Sequence, residues 1–279
     1  MKFIFFGTPK LSVIVLEELK AQDLLPSLVI TAPDKPSGRG MKIKSSPVKL
    51  WAIENDIPTI EPEKYSSEVV TEIRNVGAEV FVLVAYGKIL PQSVIDLSPN
   101  GILNVHPSLL PKLRGPSPVR SAILEDHKET GVSIMLIDEK MDHGPILIQE
   151  KYTPEAWPPN ARELDEFLFA RGGSMLADAI PKYLSGDLVS VEQDHSKATY
   201  CKLFEKEDGL IDLNDYAYLN LLKIHAYQGW PGTYFFVGDV RVNIISAHID
   251  EKLIIDEVIP EGKGKMSYKD FISKNEERS

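Results

Sequence analysis

Residues 1–31 read MKFIFFGTPKLSVIVLEELKAQDLLPSLVIT, and this stretch decides the fold. Lys2–Phe6 is a short, continuous run of apolar and aromatic residues, as in a strand buried on both faces. Gly7-Thr8-Pro9 ends the run, glycine allowing close backbone approach and proline suiting a first helical turn. Leu11–Ala21 then has helical spacing, and Ser27–Thr31 returns to a β-forming run. Gly7-Thr8-Pro9 lacks the Gly-x-Gly-x-x-Gly of a dinucleotide site, so a structural turn explains it as well as a ligand contact does.

The alternation continues outward. Pro47–Glu54 and Ser66–Arg74 are expected helices, followed by a strand at Glu79–Ala85 and another at Ile102–His106. A helix near Pro118–Glu125, a strand near Val132–Ile137 and a long helix at Ala161–Tyr183 come next. This order predicts an α/β fold: a mostly parallel sheet covered by helices on both faces, with ligands beyond the carboxyl ends of the strands. Ser185–Thr199 is polar, lacks periodicity and reads as a passage between domains. Beyond it lie a helix near Asn214–Tyr227, strands Thr233–Val237 and Arg241–Ser246 around Gly238-Asp239, and a strand at Leu253–Ile259. The expected division is 1–188 for the first domain, 189–204 for the linker and 205–279 for a small, mainly β second domain.

Composition narrows the function. A chain of 279 residues with 43% hydrophobic residues can bury an ordinary core. It contains no apolar run near the roughly 18–20 residues of a membrane span, and its apolar start is too short for a signal peptide. The expectation is a cytoplasmic, monomeric enzyme with no membrane partner. The single cysteine, Cys201, excludes an internal disulfide and reads as a small structural hydrophobe. No His and Cys spacing suggests a metal site, and His127, His143, His195, His225 and His248 read as structural or exposed. A net charge of −10 argues against a uniformly basic surface, although a nucleic-acid partner needs only a local patch.

Asn104 and His106 stand two apart on a predicted strand, so both side chains leave the same face, toward the strand's carboxyl end. The proline- and glycine-rich segment from Pro107 to Pro116 is expected to form an ordered loop beside them, presenting backbone groups to a ligand. Asp142 follows a strand that would neighbour the one carrying His106. A carboxylate beside an imidazole favours its charged form and fixes its orientation, while Asn104 and protonated His106 suit a developing oxyanion. The same spacing also fits polar groups that only satisfy a strand end and a turn, and it leaves both readings open. Ser108 lacks the Gly-x-Ser-x-Gly surroundings of a hydrolase nucleophile.

Asp34–Lys49 carries Lys35, Arg39, Lys42, Lys44 and Lys49 against the single acid Asp34, a local balance of +4. Such a segment suits phosphates, and equally a solvated loop. Residues 205–279 carry −5, so a nucleic-acid contact there would be local, through Lys263, Lys265 and Lys269.

As an ordered set, Gly7-Thr8-Pro9, Ala32–Gly40, Ser46–Lys49, Val84–Pro91, Asn104–Pro111 and Glu129–Val132 resemble the methionyl-tRNA formyltransferases over nearly the whole chain. The Asn-x-His loop with its aspartate is shared with other folate-dependent formyltransferases and hydrolases. The resemblance implies a Rossmann-like formyltransferase domain and a small C-terminal, OB-like β-barrel. It implies 10-formyltetrahydrofolate as formyl donor and the α-amino group of initiator methionyl-tRNA as acceptor. Carried over by position, Asn104, His106 and Asp142 match the catalytic trio. Ser108, Leu109, Leu110 and Pro111 match the folate-binding segment, with Tyr86, Gly87, Ile89, Leu90 and Pro91 in the pterin pocket wall. Lys35, Arg39, Lys42, Lys44 and Lys49 lie in the segment matching the loop that enters the acceptor end of tRNA.

Two departures stand out. His143 occupies a position where the family more often has a small or hydroxyl residue, and the segment from Ile249 to Glu261 is short, so a reduced barrel is expected. An amino-sugar-nucleotide N-formyltransferase would share the trio and the folate site, but would not require the basic segment. A hydrolase releasing formate is disfavoured on the same ground. A catalytically silent tRNA- or folate-binding module would not need all three catalytic-type residues.

Overall fold

A computed structural model describes residues 1–37 and 42–276. The chain begins β1 (Phe3–Gly7), α1 (Lys10–Lys20), β2 (Leu28–Ile30), β3 (Lys35–Ser37), β4 (Lys42–Lys44), α2 (Pro47–Glu54) and β5 (Thr59–Ile60). It continues α3 (Ser67–Val76), β6 (Val80–Val84), α4 (Gln92–Ile95), β7 (Ile102–His106), α5 (Pro118–Leu124), β8 (Thr130–Leu136), β9 (Ile146–Tyr152) and α6 (Ala161–Ser185). Last come α7 (Ala217–Ala226), β10 (Thr233–Val237), β11 (Val240–Asp250), β12 (Lys252–Pro260), β13 (Met266–Ser267) and α8 (Tyr268–Glu276).

Two compact units interleave along the sequence. One holds Met1–Arg114, Gly131–Lys151 and Glu166–Thr199; the other holds Gly115–Thr130, Tyr152–Asp165 and the chain from Tyr200 onward. The stretch read as a passage between domains therefore belongs, as far as Thr199, to the first compact unit.

The first unit is built on a seven-stranded sheet in the order β5-β2-β1-β6-β7-β8-β9. The pairings from β5 through β7 are parallel, and β7 with β8 is antiparallel, so the sheet is mixed. Every residue of β1 and β7 is buried, which explains their unalternating apolar runs. Phe3, Phe5, Val82, Leu103 and Val105 join the core on one face, and Ile4, Phe6, Phe81 and Ile102 the core on the other. The edge strand β9 was not anticipated. Its sequence mixes Ile146, Leu147 and Ile148 with Gln149, Glu150 and Lys151, because only part of an edge strand is covered.

Local chemistry sets the helix ends. Ser46 accepts from the Lys49 N–H with Pro47 in the first turn, and Gly77 closes α3 in the left-handed conformation at φ 64°. Gly172 lets α6 approach β7 and β8: a Cβ there would stand 2.4 Å from Val105 Cγ1 and 3.0 Å from Val132 Cγ2. Gly172→Ala is expected to destabilise the protein by about 1–3 kcal/mol through overpacking. A denaturant midpoint equal to or above wild type would contradict that tight contact.

The basic segment is more ordered than a plain loop: β3 and β4 pair antiparallel, with Lys35 opposite Lys44. Arg39 lies outside the described residues.

The second unit contains a four-stranded antiparallel sheet, β10-β11-β12-β13. Its hairpin turns at Gly238-Asp239, as expected from sequence, and β11 and β12 pair tightly as far as Asp250 and Lys252. Among the described residues no pairing of β13 with β10 closes this sheet. Phe235, Val242, Ile244, Val258, Ile224 and Phe271 form its core. Among the described residues no helix is long and apolar enough to cross a membrane, and no group of three or more His, Cys, Asp or Glu is placed to hold a metal ion.

Candidate active site

Sheet register assembles the site's edge. Gly7 pairs with Val84 and Leu83 with Asn104, so Gly7-Thr8, Ala85-Tyr86 and His106 leave the sheet on the same side, at the carboxyl ends of parallel strands. Gly7 itself is structural, because a Cβ would stand 2.6 Å from Phe5 Cε1 and 2.7 Å from Ser12 Cβ. Ser12 Oγ donates to the Val84 carbonyl and Thr8 Oγ1 to the Tyr86 carbonyl, at 2.7 and 3.0 Å, tying the ends of β1 and β6.

Asn104 and His106 are 8% and 4% exposed and share the face of Ile102. His106 Nε2 lies 3.0 Å from the Leu113 carbonyl oxygen. A carbonyl can only accept, so this nitrogen carries a proton and donates. The other ring nitrogen, Nδ1, lies 3.7 Å from Asp142 Oδ2, too long for a hydrogen bond but within ion-pair distance.

Strand adjacency alone does not produce this meeting. The register sets His106 opposite Ser133 and Leu103 opposite Leu136, so β8 ends away from His106. The segment after β8 must fold back to bring Asp142 to the imidazole. Gln193 Nε2 holds the returning backbone, donating to the Asp142 carbonyl at 2.9 Å and to the Gly144 carbonyl at 2.7 Å. Asp142, Leu113 and Ala85 all adopt left-handed backbone, at φ 47°, 56° and 45°. Such conformations cost non-glycine residues roughly 1–3 kcal/mol each and persist only where neighbours enforce them.

The loop after β7 is pinned throughout. Ser133 Oγ donates to the Ser108 carbonyl at 2.6 Å, and Gln149 Nε2 donates to the Leu110 carbonyl at 2.8 Å. The Leu113 N–H donates to Thr199 Oγ1 at 2.9 Å. Ser108 Oγ donates to the Lys112 carbonyl at 2.7 Å, so its hydroxyl closes a turn. Across the edge, Tyr86 packs edge-on against Phe6, and its hydroxyl meets Tyr65 at 2.7 Å. Burial pushes both phenols up, and they stay neutral near pH 7. Leu90 and Tyr86 belong to the same buried core cluster, whereas Ile89 is 94% exposed. Gly87 has φ 76°, which its lack of a Cβ permits.

The sequence-predicted residues divide accordingly. His106 and Asp142 meet, with Asn104 on the same strand face as His106 and the Ser108–Pro111 loop following directly. Lys49 has two partners: Asp34 Oδ2 at 3.0 Å and Glu61 Oε2 at 2.7 Å. Its hydrogen bonds to Glu61 and then Asp34 raise the ammonium's pKa, keeping it charged. Lys35 and Lys44 are exposed. His143 Nδ1 stands 2.6 Å from Asp138 Oδ2, and its ring stacks on His195 at 3.9 Å.

Sequence reading missed Gln193, which is 6% exposed, and the buried guanidinium of Arg114. An arginine inside a Pro- and Gly-rich loop was the only available sign of the second; Gln193 sits in a polar, aperiodic stretch and offered none.

An imidazole and a carboxylate thus meet near the carboxyl end of β7, with an amide on the same strand face, an arrangement that can polarise a carbonyl. Residues 1–156 match the formyl transferase family model, and residues 204–253 match the formyl transferase C-terminal domain. A methionyl-tRNA formyltransferase of Chloroflexus aggregans is 40% identical over 252 residues, covering 89% of this chain and 81% of that protein. The methionyl-tRNA formyltransferase structure from Clostridium thermocellum shares the fold with a TM-score of 0.63 at 17% identity, covering 95% of this chain and 100% of that one. An N-formyltransferase from Helicobacter canadensis, solved with folinic acid and dTDP-3-aminofucose, shares it with a TM-score of 0.66 at 19% identity over 90% and 89% of the two chains. By its two matched domains and its identity over most of its length, the chain belongs to the methionyl-tRNA formyltransferase family.

Proposed function

We propose that this protein transfers a formyl group from 10-formyltetrahydrofolate to the α-amino group of methionyl initiator tRNA, with Asn104, His106 and Asp142 as its catalytic residues. The observation that carries the reading is His106 held by Leu113 at Nε2 while Nδ1 stands 3.7 Å from Asp142. The donor supplies an activated formyl carbonyl. Ser108, Leu109, Leu110 and Pro111 border it, and Tyr86, Gly87, Ile89, Leu90 and Pro91 form the wall beside its ring. The exposed Ile89 side chain supports that fit, since the flat face of the pterin ring would cover it.

The acceptor amine attacks in its neutral form, available near pH 7 because an α-amino pKa is about 7.7–8.0. The Asn104 amide and the His106 imidazolium donate to the carbonyl oxygen as negative charge builds on it. With Nε2 donating to Leu113, the ring proton that faces the reaction is on Nδ1. Asp142 faces that nitrogen, orients the ring and takes the amine's proton, directly or through water. The C–N bond to the donor then breaks, and the departing nitrogen takes a proton.

Lys35, Arg39, Lys42, Lys44 and Lys49 are proposed to meet the tRNA acceptor end. Lys35 opposite Lys44 supports this, because like charges facing across a two-stranded ribbon are unfavourable until an anion neutralises them. Lys49 serves mainly to fix the base of the ribbon through Asp34 and Glu61. In this reading the first compact unit, which extends through Thr199, carries catalysis and folate binding, and the second, which holds residues 205–279, assists tRNA binding. The protein works as a monomer in the cytoplasm.

Arg39→Ala is expected to raise KM for tRNA about tenfold, the worth of one charge-assisted contact, with folate affinity unchanged. Equal losses for both substrates would remove the arm from tRNA recognition. The function itself is tested by incubating the protein with 10-formyltetrahydrofolate and either charged initiator tRNA or dTDP-linked amino sugars. Formylation of the sugars but not of Met-tRNA would overturn the proposal in favour of a sugar N-formyltransferase; no product with either would leave a silent binding module.

A further inference from the structure

Arg114 is among the largest fully buried side chains of the described residues, at 1% exposure, and Gln193 and His195 are among its partners. Its Nε and Nη2 donate to Gln193 Oε1 at 3.2 and 2.6 Å, and Nη2 donates to His195 Nδ1 at 2.9 Å. Arginine has no acceptor, which fixes the Gln193 amide: oxygen toward Arg114, NH₂ toward the carbonyls of Asp142 and Gly144. The same logic puts an acceptor at His195 Nδ1, whose ring stacks on His143.

These contacts close a ring. His106 Nε2 donates to Leu113, Leu113 is bonded to Arg114, Arg114 donates to Gln193, and Gln193 donates to the backbone of Asp142, whose carboxylate returns to His106 Nδ1. Both left-handed residues of the ring, Leu113 and Asp142, sit where this network grips the main chain. A buried cation is costly unless its hydrogen bonds are satisfied, so the arrangement is worth building only if it fixes something.

We propose that Gln193 and Arg114 are positioning residues that hold the Asp142 carboxylate and the His106 imidazole in mutual register for formyl transfer. This rests on the catalytic reading of His106 and Asp142 given above. Gln193 acts through the Asp142 backbone and touches no substrate; Arg114 sets the direction of the Gln193 amide.

Gln193→Glu separates the two sides of the network. It keeps an acceptor for Arg114 but turns a carboxylate oxygen toward two carbonyl oxygens, so the grip on Asp142 is lost. The expected result is a fall in kcat of up to about 10²-fold, the effect of an ångström-scale misplacement, with KM for both substrates within about twofold. In an Asp142→Asn background the same change should cost less than about threefold, because it acts through the carboxylate already removed. Gln193→Ala should follow the same pattern. Equal losses in both backgrounds, or a KM effect without a kcat effect, would overturn the proposal, as would failure of both variants to fold, which would make Gln193 a fold determinant only. Wild-type turnover is the control for the function itself. Independently of turnover, the His106 ring ¹⁵N signals should be displaced in folded Gln193→Glu, and unchanged signals would also overturn the assignment.

Discussion

Asp142→Asn is expected to lower kcat for formyl transfer by about 10³-fold, within the range assigned to general acid–base groups, while folate binding stays near wild type. The substitution is clean for a backbone reason. Asp142 has φ 47°, and asparagine tolerates that region about as well as aspartate does, so shape and main chain are retained while the charge is lost. Alanine would add backbone strain and confuse the result. Without the carboxylate 3.7 Å from Nδ1, His106 loses the group that orients its ring, and the amine loses its proposed proton acceptor. Single-turnover measurement with Met-tRNA reads this directly; a rate within about threefold of wild type would remove Asp142 from the chemistry.

His106→Ala is expected to cost about 10²–10³-fold in kcat by removing a donor from the developing oxyanion. It also takes from the buried Leu113 carbonyl a donor now 3.0 Å away, so stability should fall by about 1–3 kcal/mol. The two readouts need separating: thermal unfolding reports the second, and turnover well below the midpoint reports the first. Because His106 and Asp142 would act as a unit, the double variant should be little slower than the slower single one. Fully multiplicative losses would mean that the two residues serve different steps.

Asp142 and Gln193 show how differently parts of one site can be read from sequence. Asp142 stood in a short motif whose family resemblance assigned it a role, but nothing in residues 137–145 said that the segment would double back from the far end of β8. That return depends on Gln193, about fifty residues onward, and on the antiparallel direction of β8. Lys49 makes the complementary point. In sequence it is one of five cations in a basic stretch, yet Glu61 and Asp34 engage it, and the charge left for a phosphate partner lies elsewhere in the ribbon.

The sequence by itself determined the alternation of buried strands and amphipathic helices, because core strands must be apolar on both faces and helices must bury one stripe. It also determined that Asn104 and His106 share a face, since side chains on a strand repeat every two residues. Only the tertiary structure decided the direction of β8, the return of Asp142, and the ring through Leu113, Arg114 and Gln193 that holds it there. Periodicity records what a residue does within its own element. A hydrogen bond between a loop carbonyl and an amide fifty residues away leaves no period in the sequence, and it exists only once the backbone has been folded to bring donor and acceptor together.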